Sequence, residues 1–245
     1  MRKMFFFIPL LLALVCAAGT LLRPAVLPTE PPRAAVRQEP EAALAVPPTE
    51  EPTEETVLAD WRLTLVNPQN PLPPGYVPTL TRLRNGQAVD ERCYPALQAM
   101  MVACRAAGLE PLICSSYRTE EKQTALFENK VARLRAQGLS EEAARAGAAK
   151  VVALPGTSEH QLGLAVDIVD MGYQLLDEGQ ADTPAQRWLM EHCWEYGFIL
   201  RYPAEKEAVT GIIYEPWHYR YVGEDNARAI RESGLCLEEW LERKG

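Results

Sequence analysis

The chain has 245 residues, 47% of them hydrophobic and 24% charged, a composition that folds and that excludes disorder throughout. Its formal net charge of −8 excludes the basic surface with which a nucleic-acid binder neutralises phosphates, so no nucleic-acid partner is expected.

Residues 1–23 carry Arg2, Lys3 and Arg23 and no acid, and positions 4–22 are apolar or small throughout. This is a targeting segment: a secretory signal with a small-residue site near Ala17-Ala18-Gly19, or an uncleaved anchor long enough to span a bilayer. The positive charges at Arg2 and Lys3 would hold the N-terminus inside and send the rest out. Cys16 follows Val15, which is large for the position before a lipidated cysteine. Residues 24–56 hold eight prolines, seven glutamates and no aromatic residue, so they cannot bury enough surface to offset ordering entropy and form a disordered linker. The folded domain is then 57–245.

Within it, Trp61 to Val66 alternates like a strand, and Asn67 to Pro74 is a Pro/Asn loop. Apolar Cys93, Leu97, Met101 and Cys104 recur every three to four residues, predicting an amphipathic helix from about Asp90 to Ala107 that ends at Gly108, with Pro95 in its first turn. Leu112 to Cys114 reads as a buried strand. Thr119 caps a helix to about Ala136, and Ser140 caps another that ends before Pro155. Ala165 to Val169 is a strand. Thr183-Pro184 opens a helix that stops at Gly197. Phe198 to Arg201, Gly211 to Tyr214 and Trp217 to Val222 read as strands, and a last helix precedes Gly234. Helices and strands without regular βαβ alternation indicate an α+β domain, with a small mixed or antiparallel sheet and flanking helices.

Five cysteines follow Cys16, with no CxxC or CxH spacing that would indicate a metal cluster. On one helix Cys93 and Cys104 would lie roughly 16 Å apart, beyond the reach of a disulfide. Most of the five are expected to be small buried hydrophobes, with at most one or two bridges.

Two of the three histidines keep unusual company. His160 lies in Gly156-Thr-Ser-Glu-His-Gln-Leu-Gly-Leu-Ala-Val-Asp167, and His218 in Tyr214-Glu-Pro-Trp-His-Tyr-Arg220. Two imidazoles and a carboxylate are ligand types that hold Zn2+ while leaving a position open. His160 and Asp167 are seven residues apart, which in one straight strand would aim them at opposite faces, so a turn must intervene, naturally at Gly163. Asp167 sits among apolar residues and needs a cation partner. His192, four residues after Trp188 on a helix, reads as structural.

The pattern Ser158-x-His160-x-x-Gly163-x-Ala165-x-Asp167, followed by Glu215-Pro-Trp-His218, resembles the zinc D-alanyl-D-alanine carboxypeptidases of peptidoglycan, a family of VanY-like enzymes that includes LD-carboxypeptidases. The resemblance runs from about Leu63 to Trp240. It implies an α+β zinc fold in which His160, Asp167 and His218 are ligands and Glu215 is the catalytic base, with Arg118, Gln123, Ser158 and Tyr202 as substrate contacts. Each has a plainer counterpart. Glu215 could be a surface acid beside Pro216, Arg118 a helix-flanking cation, Gln123 a helix-face polar residue, Ser158 a turn former and Tyr202 packing. A guanidinium just after a buried strand is nevertheless suited to clamp a terminal carboxylate. Trp217, Tyr219 and Tyr221 alternate on one strand face and read as core or pocket wall.

The resemblance implies a zinc carboxypeptidase that removes the C-terminal D-alanine from peptidoglycan stem peptides. It would act as a monomer outside the cytoplasm, secreted or membrane-anchored through its N-terminal segment. The rivals are LD-carboxypeptidase action on tetrapeptide stems, a zinc endopeptidase, which an Arg118 clamp disfavours, and a non-catalytic wall-sensing zinc domain, which an intact Glu215 disfavours.

Overall fold

The structure, a computed structural model, describes residues 60–244. The expected targeting segment and linker lie outside the described residues. Among those residues no helix is long and apolar enough to cross a membrane.

A four-stranded antiparallel sheet in the order β3-β4-β6-β5 forms the centre, from β3 (Pro111–Ser115), β4 (Ala165–Asp170), β5 (Phe198–Leu200) and β6 (His218–Tyr221). A separate hairpin pairs β1 (Leu80–Arg82) with β2 (Ala88–Asp90). The helices are α1 (Tyr94–Ala106), α2 (Glu120–Ala136), α3 (Glu141–Ala149), α4 (Glu159–Leu162), α5 (Pro184–His192), α6 (Glu207–Thr210), α7 (Glu224–Ser233) and α8 (Leu237–Lys244). The α+β expectation is met, with the sheet wholly antiparallel.

β4 is one of the two inner strands and is buried on both faces. Val166 and Ile168 pack with Leu97, Met100 and Met101 of α1, Leu189 of α5, Phe198 and Tyr219 into the main core. The alternate residue Asp167 therefore points to the other face. Leu63, Ile199, Val222, Ile230 and Leu237 form a second cluster that seats α7 and α8, and Phe127, Val131, Ala144 and Ala148 zip α2 to α3. The helix starts follow local chemistry. The Thr119, Ser140 and Thr183 side chains accept from the backbone N–H groups of Lys122, Ala143 and Gln186, and Pro184 sits where no donor is needed.

Several elements differ from the sequence expectation. Trp61 to Val66 is not a strand: Trp61–Leu63 is a 3-10 turn whose cap, Asp60, accepts from Arg62. The carbonyls of Arg62 and Thr64 are satisfied by the Arg220 guanidinium, at 3.0 and 2.8 Å, so no ladder is required. Gly211 to Tyr214 is also irregular. Gly211, at φ +74°, ends α6, and Ile213 N donates to Lys150 O at the end of α3. The helix expected from Asp90 begins at Tyr94, because Asp90 closes β2 and its carboxylate binds Arg92. The β1–β2 hairpin and α8 were not anticipated. All five described cysteines are free, and four of them are buried, so the role as small hydrophobes holds and the one or two bridges allowed for do not form among the described residues.

Candidate functional site

The turn between His160 and Asp167 is built as the spacing requires. α4 ends at Gly163, whose φ of +81° reverses the chain into β4. A Cβ there would also meet Pro78 Cγ at 3.1 Å and Asp90 N at 3.2 Å, so both the conformation and the close approach demand glycine. Sheet register then does the assembling. Ser115 of β3 and His218 of β6 lie directly opposite Asp167 of β4, so the three share one row on one face.

The His160 ring reaches this row from α4. Its Nδ1 lies 2.8 Å from Ser116 O, an acceptor only, so Nδ1 carries the proton and the Nε2 lone pair faces inward, 3.2 Å from Asp167 Oδ2. Across the carboxylate, His218 Nδ1 lies 3.0 Å from Asp167 Oδ1. The three candidate ligand atoms fall within 4.8 Å of one another, and all three residues are buried. Glu215 Oε2 is 3.8 Å from His218 Nδ1.

The electrostatics are those of a cation site. Burial alone would raise Asp167, but His160, His218 and Arg118 outweigh it and hold the carboxyl well below its usual range. Burial, reinforced by Arg118, pushes His160 down to about 4, leaving a neutral imidazole. Burial would also lower His218, yet the hydrogen-bonded Asp167 carboxylate and the nearby Glu159 carboxylate raise it to about 9, so the surrounding carboxylates favour positive charge at this point. Burial pushes Glu215 up to about 8, with Asp167 adding to the rise. Two imidazoles and one carboxylate, with no further ligand group gathered with them among the described residues, fit Zn2+ with an open position.

The expected substrate residues separate into two groups. Arg118, Ser158 and Tyr202 line a cavity of about 330 Å³ together with the metal residues and Glu215. Gln123 does not line it: fully buried, it accepts from Arg118 Nη1 at 3.3 Å and donates to Ala153 O, so it orients the guanidinium from behind. Arg118 supplies the cation that Asp167 needs, with Nη2 2.7 Å from Asp167 Oδ2, and both Nε and Nη2 donate to Ser115 Oγ. The Tyr202 ring packs 4.9 Å from His218. Trp217 lines the cavity, whereas the buried Tyr219 donates from its hydroxyl to Gln186. His192 lies on Trp188 and Glu195, as the structural assignment requires.

Sequence reasoning missed Glu159. Its side chain is wholly enclosed, with Oε1 taking Arg201 Nε at 2.7 Å and Arg220 Nη1 at 2.8 Å, and Arg201 is further held by both oxygens of Glu238. The other oxygen, Oε2, faces His218 Nε2 at 3.6 Å, and neither atom has a hydrogen-bond partner among the described residues. A carboxylate behind a ligating imidazole fixes the ring's orientation and proton position. The legible signal was Arg220, two residues after His218 and hence on the same face of β6. Nothing local marked its partner as buried.

Burial would raise Glu159, but Arg201 and Arg220 overcome it and hold the carboxyl far below its usual range. Glu159→Gln leaves two buried guanidiniums short of an anion and is expected to lower stability by about 3–5 kcal/mol, read as the urea midpoint at pH 7. A depressed folded pKa contributes stability above the unfolded value near 4.5 and loses it as pH falls. The gap between wild type and variant should therefore narrow below pH 4.5; a gap constant with pH would rule out an ionised Glu159.

The profile of the VanY family, described as D-alanyl-D-alanine carboxypeptidase, matches residues 86–224. A D-alanyl-D-alanine carboxypeptidase of Enterococcus faecalis (strain ATCC 700802 / V583) is 48% identical over 182 residues, covering 74% of this chain and 66% of that protein's own length. A solved structure of a vancomycin-resistance D,D-pentapeptidase VanY in complex with Zn(II) has 48% identity and a TM-score of 0.68, covering 74% of this chain and 99% of the other. The structure of the LD-carboxypeptidase LdcB has 35% identity and a TM-score of 0.63, covering 73% and 84%.

Proposed function

From the membership of this chain in the VanY family of D-alanyl-D-alanine carboxypeptidases, we propose that it is a zinc carboxypeptidase that removes the C-terminal D-alanine from peptidoglycan stem peptides. The observation that carries this is the buried convergence of His160, Asp167 and His218, with Glu215 beside them and Arg118 in the wall of the same cavity.

His160 Nε2, the Asp167 carboxylate and His218 Nδ1 would hold the ion. Bound there, Zn2+ supplies Lewis-acid polarisation of a carbonyl and acidification of water. Glu215 takes a proton from the attacking water and returns it to the departing amine. Its buried position keeps this carboxyl near the proton affinity such a shuttle needs. Arg118, held by Ser115, Gln123 and Asp167, keeps one Nη1 N–H and its charge for the substrate's terminal carboxylate and so selects chain ends over internal bonds. Ser158 and Tyr202 complete the wall.

Residues 1–23 would export the chain or anchor it, residues 24–56 would act as a tether, and the catalytic domain from residue 57 would work as a monomer outside the cytoplasm, facing the wall. The test is mass spectrometry of purified muropeptides incubated with the zinc-loaded full chain and, in parallel, with residues 57–245. Loss of one alanine from pentapeptide stems by both proteins is expected. Cleavage of tetrapeptide stems alone would make the enzyme an LD-carboxypeptidase, cleavage within cross-bridges an endopeptidase, and no turnover a binding domain.

A further inference from the structure

One wall of the cavity is a single face of α2. Leu126, Asn129, Lys130 and Arg133 all line it, spaced three to four residues apart as one helical stripe. The charges of this helix divide by face. On the side toward α3, Arg135 pairs with Glu141 at 3.1 Å and Glu128 with Arg145 at 3.0 Å. On the cleft side, half-buried Lys130 and exposed Arg133 make no ion pair among the described residues. Two cations without an ion pair among the described residues thus lie on the wall of the candidate active site.

The helix also sets a distance. Arg118 precedes the α2 cap, and Gln123, in the first turns, holds its guanidinium. At about 1.5 Å of rise per residue, Lys130 lies roughly 10 Å and Arg133 roughly 15 Å along the axis from Gln123. An extended peptide advances about 3.3 Å per residue. A chain whose terminal carboxylate sits at Arg118 and which runs along α2 therefore passes Lys130 about three residues back and Arg133 about four or five. Leu126, Val152 and Ile212 also line the cavity and give it apolar surface that suits small aliphatic side chains.

Resting on the carboxypeptidase function above, we propose that Lys130 and Arg133 form a cationic subsite for a second carboxylate, carried by the substrate three to five residues before its C-terminus. The substrate class is thereby narrowed to acidic stem peptides, in preference to those in which that carboxylate is amidated. The contacts are solvent-facing, so they act mainly on capture and weaken with salt.

The test uses the zinc-loaded full chain and synthetic peptides that end in D-Ala-D-Ala and differ only in a carboxylate or a carboxamide at the third to fifth position from the end. An acylated D-Ala-D-Ala too short to reach Lys130 serves as control. Wild type is expected to favour the carboxylate peptide by about ten-fold in kcat/KM, through KM, and less in 0.5 M NaCl. Lys130→Ala/Arg133→Ala should abolish that preference and leave the short peptide's kinetics unchanged, which also shows that the variant is folded. Equal wild-type cleavage of both long peptides overturns the subsite while the carboxypeptidase function stands. The same holds if the double variant keeps the preference, or loses activity equally on all three peptides. No cleavage of any peptide by wild type overturns the function and the subsite together.

Discussion

Glu215→Gln is expected to lower turnover by about 10² to 10⁴ while the protein keeps one zinc per chain, because glutamine has the same shape but cannot accept a proton. The local fold explains why the acid can serve without being a ligand. Glu215 N donates to Tyr202 O, and His218 N donates back to Glu215 O, so Glu-Pro-Trp-His forms a tight turn into β6. The turn sets the carboxylate beside His218, with Glu215 Oε2 3.8 Å from Nδ1, whereas Asp167 lies within hydrogen-bonding distance of both rings. His218→Ala removes one of three candidate ligands and is expected to lose the metal as well as activity, so metal content by elemental analysis separates the two variants. If Glu215→Gln loses zinc as readily as His218→Ala, Glu215 is a ligand and the roles must be reassigned. The pH dependence has a definite sign. Burial raises Glu215 in the folded chain to about 8, above its unfolded value near 4.5. Its contribution to stability is thus complete below 4.5 and lost as pH rises through about 8. In chelator-treated protein, Glu215→Gln should therefore gain on wild type in urea midpoint from pH 5 to pH 9; parallel curves would contradict the buried position.

Arg118→Ala is expected to cost about 2 to 5 kcal/mol of transition-state binding, read as the fall in kcat/KM, the usual cost of removing one partner of a buried charge-assisted pair. The structure adds a second consequence. Arg118 Nη2 already lies 2.7 Å from Asp167 Oδ2, so the guanidinium steadies a candidate metal ligand as well as facing the cavity. The two roles part experimentally. Amidating the substrate's C-terminus should mimic the variant in wild type if Arg118 holds the terminal carboxylate, and should add nothing further in Arg118→Ala. A chelator competition on the free enzyme reads the Asp167 role alone. Arg118→Lys restores charge but not the planar fork, and should recover little of the loss. Equal cleavage of free-acid and amidated peptides by wild type would remove the clamp and favour an endopeptidase.

Much of the scaffold was legible because it rests on local chemistry. Thr119, Ser140 and Thr183 announce helix starts through side chains that bond the backbone three residues on, and Gly163 and Gly197 announce stops through conformations that other residues resist. The candidate metal residues were legible for a different reason: few side chains bind zinc, and their spacing around Gly163 and Pro216 is distinctive. Strands were read less well. Trp61 to Val66 and Gly211 to Tyr214 have strand-like patterns, but a strand exists only where another edge receives it, and both segments are instead satisfied by a guanidinium or by a helix end.

By itself, then, the sequence determined the α+β class and the caps and turns, since each depends on residue type and short spacing, and through its family resemblance it pointed to His160, Asp167, His218 and Glu215 as candidate site residues. Only the tertiary structure decided what those groups face. Sheet register put Ser115, Asp167 and His218 in one row. Long-range packing turned Arg118 onto Asp167, hid Gln123 behind it, and enclosed Glu159 between Arg201 and Arg220 at the back of His218. The physical reason is that a charge is buried only when a partner distant in the chain arrives to meet it, and no local pattern specifies that arrival.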